Sequence, residues 1–213
     1  MTDLVALFVS AFVTLFVVLD PPGCVPIFSS LTPGASAAHR RNMALRSTAI
    51  AGGVLFAFGI FGEGFLSALG ISLAAFRIAG GIMVFLIAID MVFEKRTERR
   101  EDRAEEVVRG REIVEEDVSV FPMAIPMIAG PGSIAAIMLL SAQAKGLEAH
   151  LVVYAALAAV LVVMLAALLA AGAVMRLIGD KIEAMITRLL GVVLAALAAQ
   201  FVVDGLREAF HLA

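Results

Sequence analysis

Apolar residues in this chain come in long blocks, with no strand-like alternation and no polar helical stripe. Residues 43–66, 73–93, 151–175 and 189–206 are each apolar around the whole circumference of a helix. A bilayer core about 30 Å thick needs roughly 20 such residues, so each block predicts a membrane span. Two further blocks are interrupted. Residues 4–19 run into Asp20-Pro21-Pro22-Gly23 and resume as 24–31, and residues 118–142 contain Pro122, Pro126 and then Gly130-Pro131-Gly132. The pattern predicts six spans, the first and fourth broken. The first has no Lys or Arg before it and no small-residue cleavage site after it, so it is expected to be a retained span and not a leader.

Composition agrees, with 62% hydrophobic residues and 16% charged among 213, and a mean hydropathy of +1.01. The charge is concentrated. Ten acidic and seven basic residues fall between Glu94 and Asp117, out of 19 and 16 in the whole chain. This divides the chain into a three-span unit 1–93, a charged connector 94–117 and a second three-span unit 118–213. A net charge of -3, with no basic cluster interleaved with aromatics, excludes a nucleic-acid binder. The single cysteine, Cys24, excludes a disulfide scaffold. Arg40, Arg41, Arg46, the connector, Arg176, Lys181 and Arg188 collect on one side of the six-span arrangement. Lys145 and Arg207, with Arg77 near the end of its span, collect on the other. The positive-inside rule then puts the connector in the cytoplasm and both termini outside.

The two units share an order of features. Pro22 and Pro26 match Pro122 and Pro126 in spacing, and a Pro-Gly follows each pair, at Pro33-Gly34 and Pro131-Gly132. Arg77 and Arg188 each stand three residues before a glycine, Gly80 and Gly191. Asp90 and Asp204 lie near the ends of the spans concerned. Three spans is an odd number, so a second copy enters the membrane from the opposite side. An inverted repeat with interrupted helices points to a binding site near mid-depth. In this register Asp20 falls opposite Val120.

Proline within a span removes a backbone donor, and irregular backbone is tolerated only where it is buried in protein or lines a watery cavity. Half-helix N-termini attract a carboxylate, while freed carbonyls attract an ammonium or cation. A small zwitterion fits that pairing. The alternative is that the prolines only kink helices for packing. Asp20, inside a span, is a candidate by default. Its roles remain open between binding an ammonium, holding a coupling cation or proton, and capping the following half-helix. Arg77 and Arg188 either snorkel to headgroups or contact a carboxylate; Glu63, Asp90 and Asp204 lie near span ends and read as interfacial. His39, His150 and His211 are scattered, which leaves no transition-metal set, and no phosphate-binding Gly-x-x-x-x-Gly-Lys-Ser/Thr occurs. Ser133 has no histidine near it in any span, which argues against a serine hydrolase. No enzyme activity and no cofactor are expected.

The runs Asp20-Pro21-Pro22-Gly23-Cys24-Val25-Pro26-Ile27-Phe28, Ala75-Phe76-Arg77-Ile78-Ala79-Gly80-Gly81-Ile82 and Pro122-Met123-Ala124-Ile125-Pro126-Met127-Ile128-Ala129-Gly130-Pro131-Gly132 resemble the MarC family (UPF0056) of six-span bacterial inner-membrane proteins. The resemblance extends over nearly the whole chain and is weakest in the connector. It implies an all-α membrane protein, six helices in two inverted three-helix repeats with the first and fourth broken, related to transporters of small neutral amino acids such as glycine and alanine. The family's Asn/Asp-Pro-x-Gly motif falls on Asp20, Pro21, Pro22 and Gly23, and its Gly-Pro-Gly on Gly130, Pro131 and Gly132. Asp20 stands where many relatives have Asn, and Pro22 where an aliphatic residue is usual. The expected function is secondary transport of a zwitterionic amino acid through a site drawn from Asp20, Pro22, Gly23, Pro26, Arg77, Gly130, Pro131 and Gly132. In that site, amides near Gly23 and Gly130 to Gly132 take the carboxylate, and carbonyls near Asp20 take the ammonium. A scaffold or regulatory protein working through the connector, and a passive exporter or channel, are the alternatives. Oligomeric state is not legible.

Overall fold

The computed structural model describes residues 2–32, 34–93 and 117–210, with the backbone alone for Thr2 and 174–184. The connector expectation therefore lies outside the described residues except at Asp117. All regular structure among the described residues is helical: α1 (Thr2–Leu19), α2 (Pro21–Leu31), α3 (Ala37–Ala68), α4 (Leu73–Val92), α5 (Ser119–Ile128), α6 (Pro131–Gln143), α7 (Leu147–Leu169) and α8 (Ala171–Ala209). Among the described residues, five helical stretches are long and apolar enough to cross a membrane: Asp3–Leu31, Ala37–Ala68, Leu73–Val92, Leu147–Leu169 and Met185–Ala209. The pair α5 and α6, bent by 54°, makes a sixth if it counts as one span.

Local chemistry explains the boundaries. Ser36 and Ser72 each accept a hydrogen bond from the amide three residues on, at His39 and Ala75, and so cap α3 and α4 (3.2 Å each). The turn between those helices closes on Gly70 at φ +70. The Ile71 amide reaches the Leu66 carbonyl (2.9 Å) and the Gly70 amide reaches Ser67 (3.0 Å), which together terminate α3. At 32 residues α3 is longer than the bilayer core is thick, and its polar start, with His39, Arg40, Arg41 and Arg46, projects past the apolar length.

The most extensive packing is between α4 and α8. These helices run antiparallel, because Gly81 meets Ala198 and Val202, Gly191 meets Ala88 and Met91, and Gly205 meets Ala74 and Ile78. A Cβ at Gly81 or Gly205 would lie 3.0 Å from the carbonyl oxygen of Ala198 or Ala74, and one at Gly191 3.1 Å from that of Ala88. Three glycines thus let backbone lie against backbone, the way membrane helices gain dispersion contact where lipid offers no hydrophobic drive. Around this pair α1 packs on α7 and α5 on α3, while α2 lies against α8 and α6 against α4. Phe61, Phe65, Leu86, Val162, Leu189 and Val192 face outward and are exposed. An exterior this apolar suits lipid.

The Tyr154 hydroxyl donates to the Gly59 carbonyl (3.0 Å) and lies 2.9 Å from the Ser141 hydroxyl, tying α7 to α3 and α6. At the connector end, Arg46 of α3 pairs with Asp117, which also accepts from the hydroxyl and the amide of Ser119. The Ser119 hydroxyl, its amide, and the nearby Arg46 and His39 charges together outweigh desolvation and hold the Asp117 carboxyl below the ordinary Asp value. At the other end Arg77 of α4 pairs with Glu208 of α8 (2.7 Å).

Two predictions follow from this packing. Gly81→Val forces branched carbons into the Ala198 and Val202 backbone, and is expected to lower stability by about 1–3 kcal/mol or more, read as a lower midpoint of thermal unfolding in detergent; an unchanged midpoint would remove the close-packed pair. Asp117 binds its proton more weakly folded than unfolded, so its contribution is full above the ordinary Asp range near about 3.9 and is lost as pH falls through the lowered folded value. Asp117→Asn should flatten that acidic limb of the stability profile.

Candidate functional site

The first break is narrower than its sequence suggests. Only Asp20 leaves the helical conformation, at φ 55 and ψ 64, in the left-handed region that Asp tolerates better than most residues. Helical hydrogen bonding continues on both sides, from the Asp20 amide to Phe16 (2.9 Å) and from the Cys24 amide to Asp20 (3.1 Å). Pro21, Pro22 and Pro26 contribute no amide, which withdraws the donors that would reach the carbonyls of Val17, Val18 and Pro22. The Asp20 carboxyl, 1% exposed, turns back to accept from the Gly23 amide (3.2 Å). Of its three candidate roles, the N-cap is directly visible. Gly23 leaves no room for a side chain, because a Cβ there would overlap the Asp20 carboxyl. With the Gly23 amide so engaged, the Leu19 carbonyl is approached instead by the Cys24 thiol (3.7 Å).

The second break is wider. In α5 the backbone leaves helical angles at Phe121 and Ile125, each followed by a proline across a cis peptide bond. Bonds to the fifth residue back replace ordinary helical ones, Met123 to Val118 (3.3 Å) and Ala129 to Ala124 (2.9 Å). α6 then begins at Pro131, with Gly130 as its N-cap and no side-chain bond to its first amides. A Cβ at Gly130 would lie 2.5 Å from the Pro126 carbonyl oxygen, so that position too is closed to any side chain.

The breaks are brought together. A Cβ at Gly132 would overlap the end of Ile87 from α4 and come 3.7 Å from Cγ1 of Val18, two residues before Asp20. Gly23, Gly130 and Gly132 are buried, Pro22 and Pro26 are half-buried, and Pro131 is exposed. Ile87 thus covers the glycine at the start of α6. Arg77 does not join this group. It lies ten residues before Ile87 on α4, roughly 15 Å along the helix, and its guanidinium is engaged by Glu208. The Gly23 amide, expected to hold a substrate carboxylate, is instead occupied by Asp20. Sequence reading missed Ile87, an ordinary leucine-like position in an apolar span whose role depends on what lies across from it.

The family model described as "MarC family integral membrane protein" matches residues 5–210. Among curated proteins the chain is similar to the UPF0056 membrane protein of Methanocaldococcus jannaschii, 37% identical over 202 residues, covering 95% of this chain and 97% of that one. It is 35% identical to the UPF0056 membrane protein YvbG of Bacillus subtilis, covering 95% of each. It is also 34% identical to the UPF0056 inner membrane protein YhgN of Escherichia coli, covering 93% of this chain and 95% of the relative. No solved structure matches it.

Asp20 combines a cap with a left-handed backbone, and its replacements either keep both or lose both. Asp20→Asn keeps both and should unfold within a few tenths of a kcal/mol of the native protein, whereas Asp20→Ala loses the cap and strains the backbone, for a loss of about 2–3 kcal/mol. Thermal unfolding of the two in detergent decides this; equal midpoints would show that neither the cap nor the backbone preference contributes.

Proposed function

Since the chain belongs to the MarC family of integral membrane proteins, we propose that it is a secondary transporter, not an enzyme, that carries a small neutral amino acid across the cytoplasmic (inner) membrane. The two halves are inverted repeats that alternate access to a site between the breaks, with both termini on the outer side. No cofactor takes part.

The observation that supports this reading is the unequal capping of two helix starts lying close together. α2 begins under a carboxyl group, Asp20, and α6 begins under Gly130 with no side-chain cap. An uncapped helix start offers amide donors and a partial positive charge to a carboxylate, and a buried carboxyl group is a partner for an ammonium. One zwitterion satisfies both. Ile87 closes over Gly132, and in this reading it turns aside to admit a substrate with a side chain of glycine or alanine size. Pro22, Gly23, Pro26 and Pro131 shape the two helix starts in this reading.

Repetition is supported by a constant offset of 110 positions. Pro21 and Pro131 each open a helix, and Gly81 against Ala198 and Val202 has its counterpart in Gly191 against Ala88 and Val92. The packing partners exchange in the same way: α1 with α7 answers α5 with α3, and α2 with α8 answers α6 with α4. This register sets Asp20 opposite Gly130 in place of Val120, and Arg77 opposite Thr187 in place of Arg188.

Purified protein in liposomes should take up labelled glycine or alanine. Absence of uptake under sodium gradient, proton gradient and unenergised conditions alike would sink the proposal. Gly132→Val overlaps only the flexible end of Ile87, so it should cost about 1–3 kcal/mol and leave a folded protein, yet abolish uptake. Uptake at the native rate in that variant would move the site elsewhere.

A further inference from the structure

A cavity of about 350 Å³ opens at the connector end of the molecule, where α2 and α7 end and α3 and α8 begin. Its polar side is formed by Arg40 and Arg41 of α3 with Ser29 of α2. Among the described residues neither arginine has an ion-pair partner. Arg40 lies against the start of α8: its Nη1 is 3.3 Å from where a Cβ of Gly172 would be, so the bare backbone leaves room for the guanidinium, which lines the cavity. The Thr32 hydroxyl is committed to the Phe28 carbonyl (2.8 Å), which leaves Ser29 as the hydroxyl donor. Phe28, Leu168 and Leu169 supply apolar lining, and Leu169 is exposed on the outer surface.

Two guanidinium groups beside a hydroxyl suit a phosphate group, which guanidinium forks bind with paired, charge-assisted hydrogen bonds. An apolar wall continuous with the lipid-facing surface suits the glycerol and first acyl carbons that such a phosphate carries in a phospholipid. We propose that this pocket binds a phosphate group, presented either as the headgroup of an anionic phospholipid or as a free phosphate ester, and that Arg40 and Arg41 recognise it. The site is independent of the transport reading. It requires neither Asp20 nor Gly132.

Native mass spectrometry of the full-length protein, titrated in detergent with phosphatidylglycerol, phosphatidylcholine or glycerol 3-phosphate, tests it. Phosphatidylglycerol should be retained at least about tenfold more tightly than phosphatidylcholine. The double variant Arg40→Gln/Arg41→Gln should lose that preference, and Lys145→Gln, in the turn before α7 at the other end of that helix, should keep it. Arg40→Lys/Arg41→Lys, with charge but no fork, should fall between, and its unchanged elution and unfolding midpoint would exclude misfolding as the cause. Competition by glycerol 3-phosphate in the native protein but not in the glutamine variant would assign the site to a free phosphate ester; retention of the lipid alone would assign it to the headgroup. An undiminished preference in the glutamine variant, or no preference in the native protein together with no binding of glycerol 3-phosphate, would overturn the proposal.

Discussion

In hydrocarbon there is no water to receive a backbone amide or carbonyl left without a partner, and each one costs several kcal/mol. Six of the seven prolines fall within the two interrupted segments, so the chain concentrates this difficulty in two places. Each is resolved differently. At the first, one residue takes a left-handed turn, its carboxyl group satisfies the Gly23 amide, and a thiol approaches the carbonyl that amide would have met. At the second, the backbone widens to bonds five residues back and restarts under a glycine. The chemical contrast between the breaks, one carrying an acidic cap and the other bare, arises from this backbone requirement.

The tightly packed pair α4 and α8 gives the breaks something rigid to work against. Where Gly81, Gly191 and Gly205 allow backbone contact, the interface has little freedom to deform gradually. Ile87 projects from that same α4 toward Gly132. A side chain anchored on that closely packed helix therefore covers the first turn of α6. The ion pairs at opposite ends, Arg77 with Glu208 and Arg46 with Asp117, lie outside this centre and tie elements together at the edges.

Much of this was legible in the sequence. Most span positions follow from the length of apolar runs, because the bilayer core sets a minimum apolar length; the run 151–175 instead divides at Ala170, where α7 ends and α8 begins. The locations of the breaks follow from proline and glycine, which act through the local backbone. Asp20 stood out because a carboxyl group inside a span is costly. The register of the proposed repeat is harder to read. Pro22 and Pro26 match Pro122 and Pro126 in spacing, yet the helices begin at Pro21 and Pro131, because capping and hydrogen bonding set the start of a helix and proline spacing does not.

By itself the sequence determined that the chain lies in a membrane, where its spans fall and where they are interrupted, since hydrophobic length and missing backbone donors are properties of each segment taken alone. Tertiary structure decided the rest. It set which amide Asp20 caps, drew Arg77 away to Glu208, placed Ile87 over Gly132 and let Arg40 reach past Gly172. Those outcomes depend on distances between segments far apart in the chain, and such distances are fixed only when helices pack.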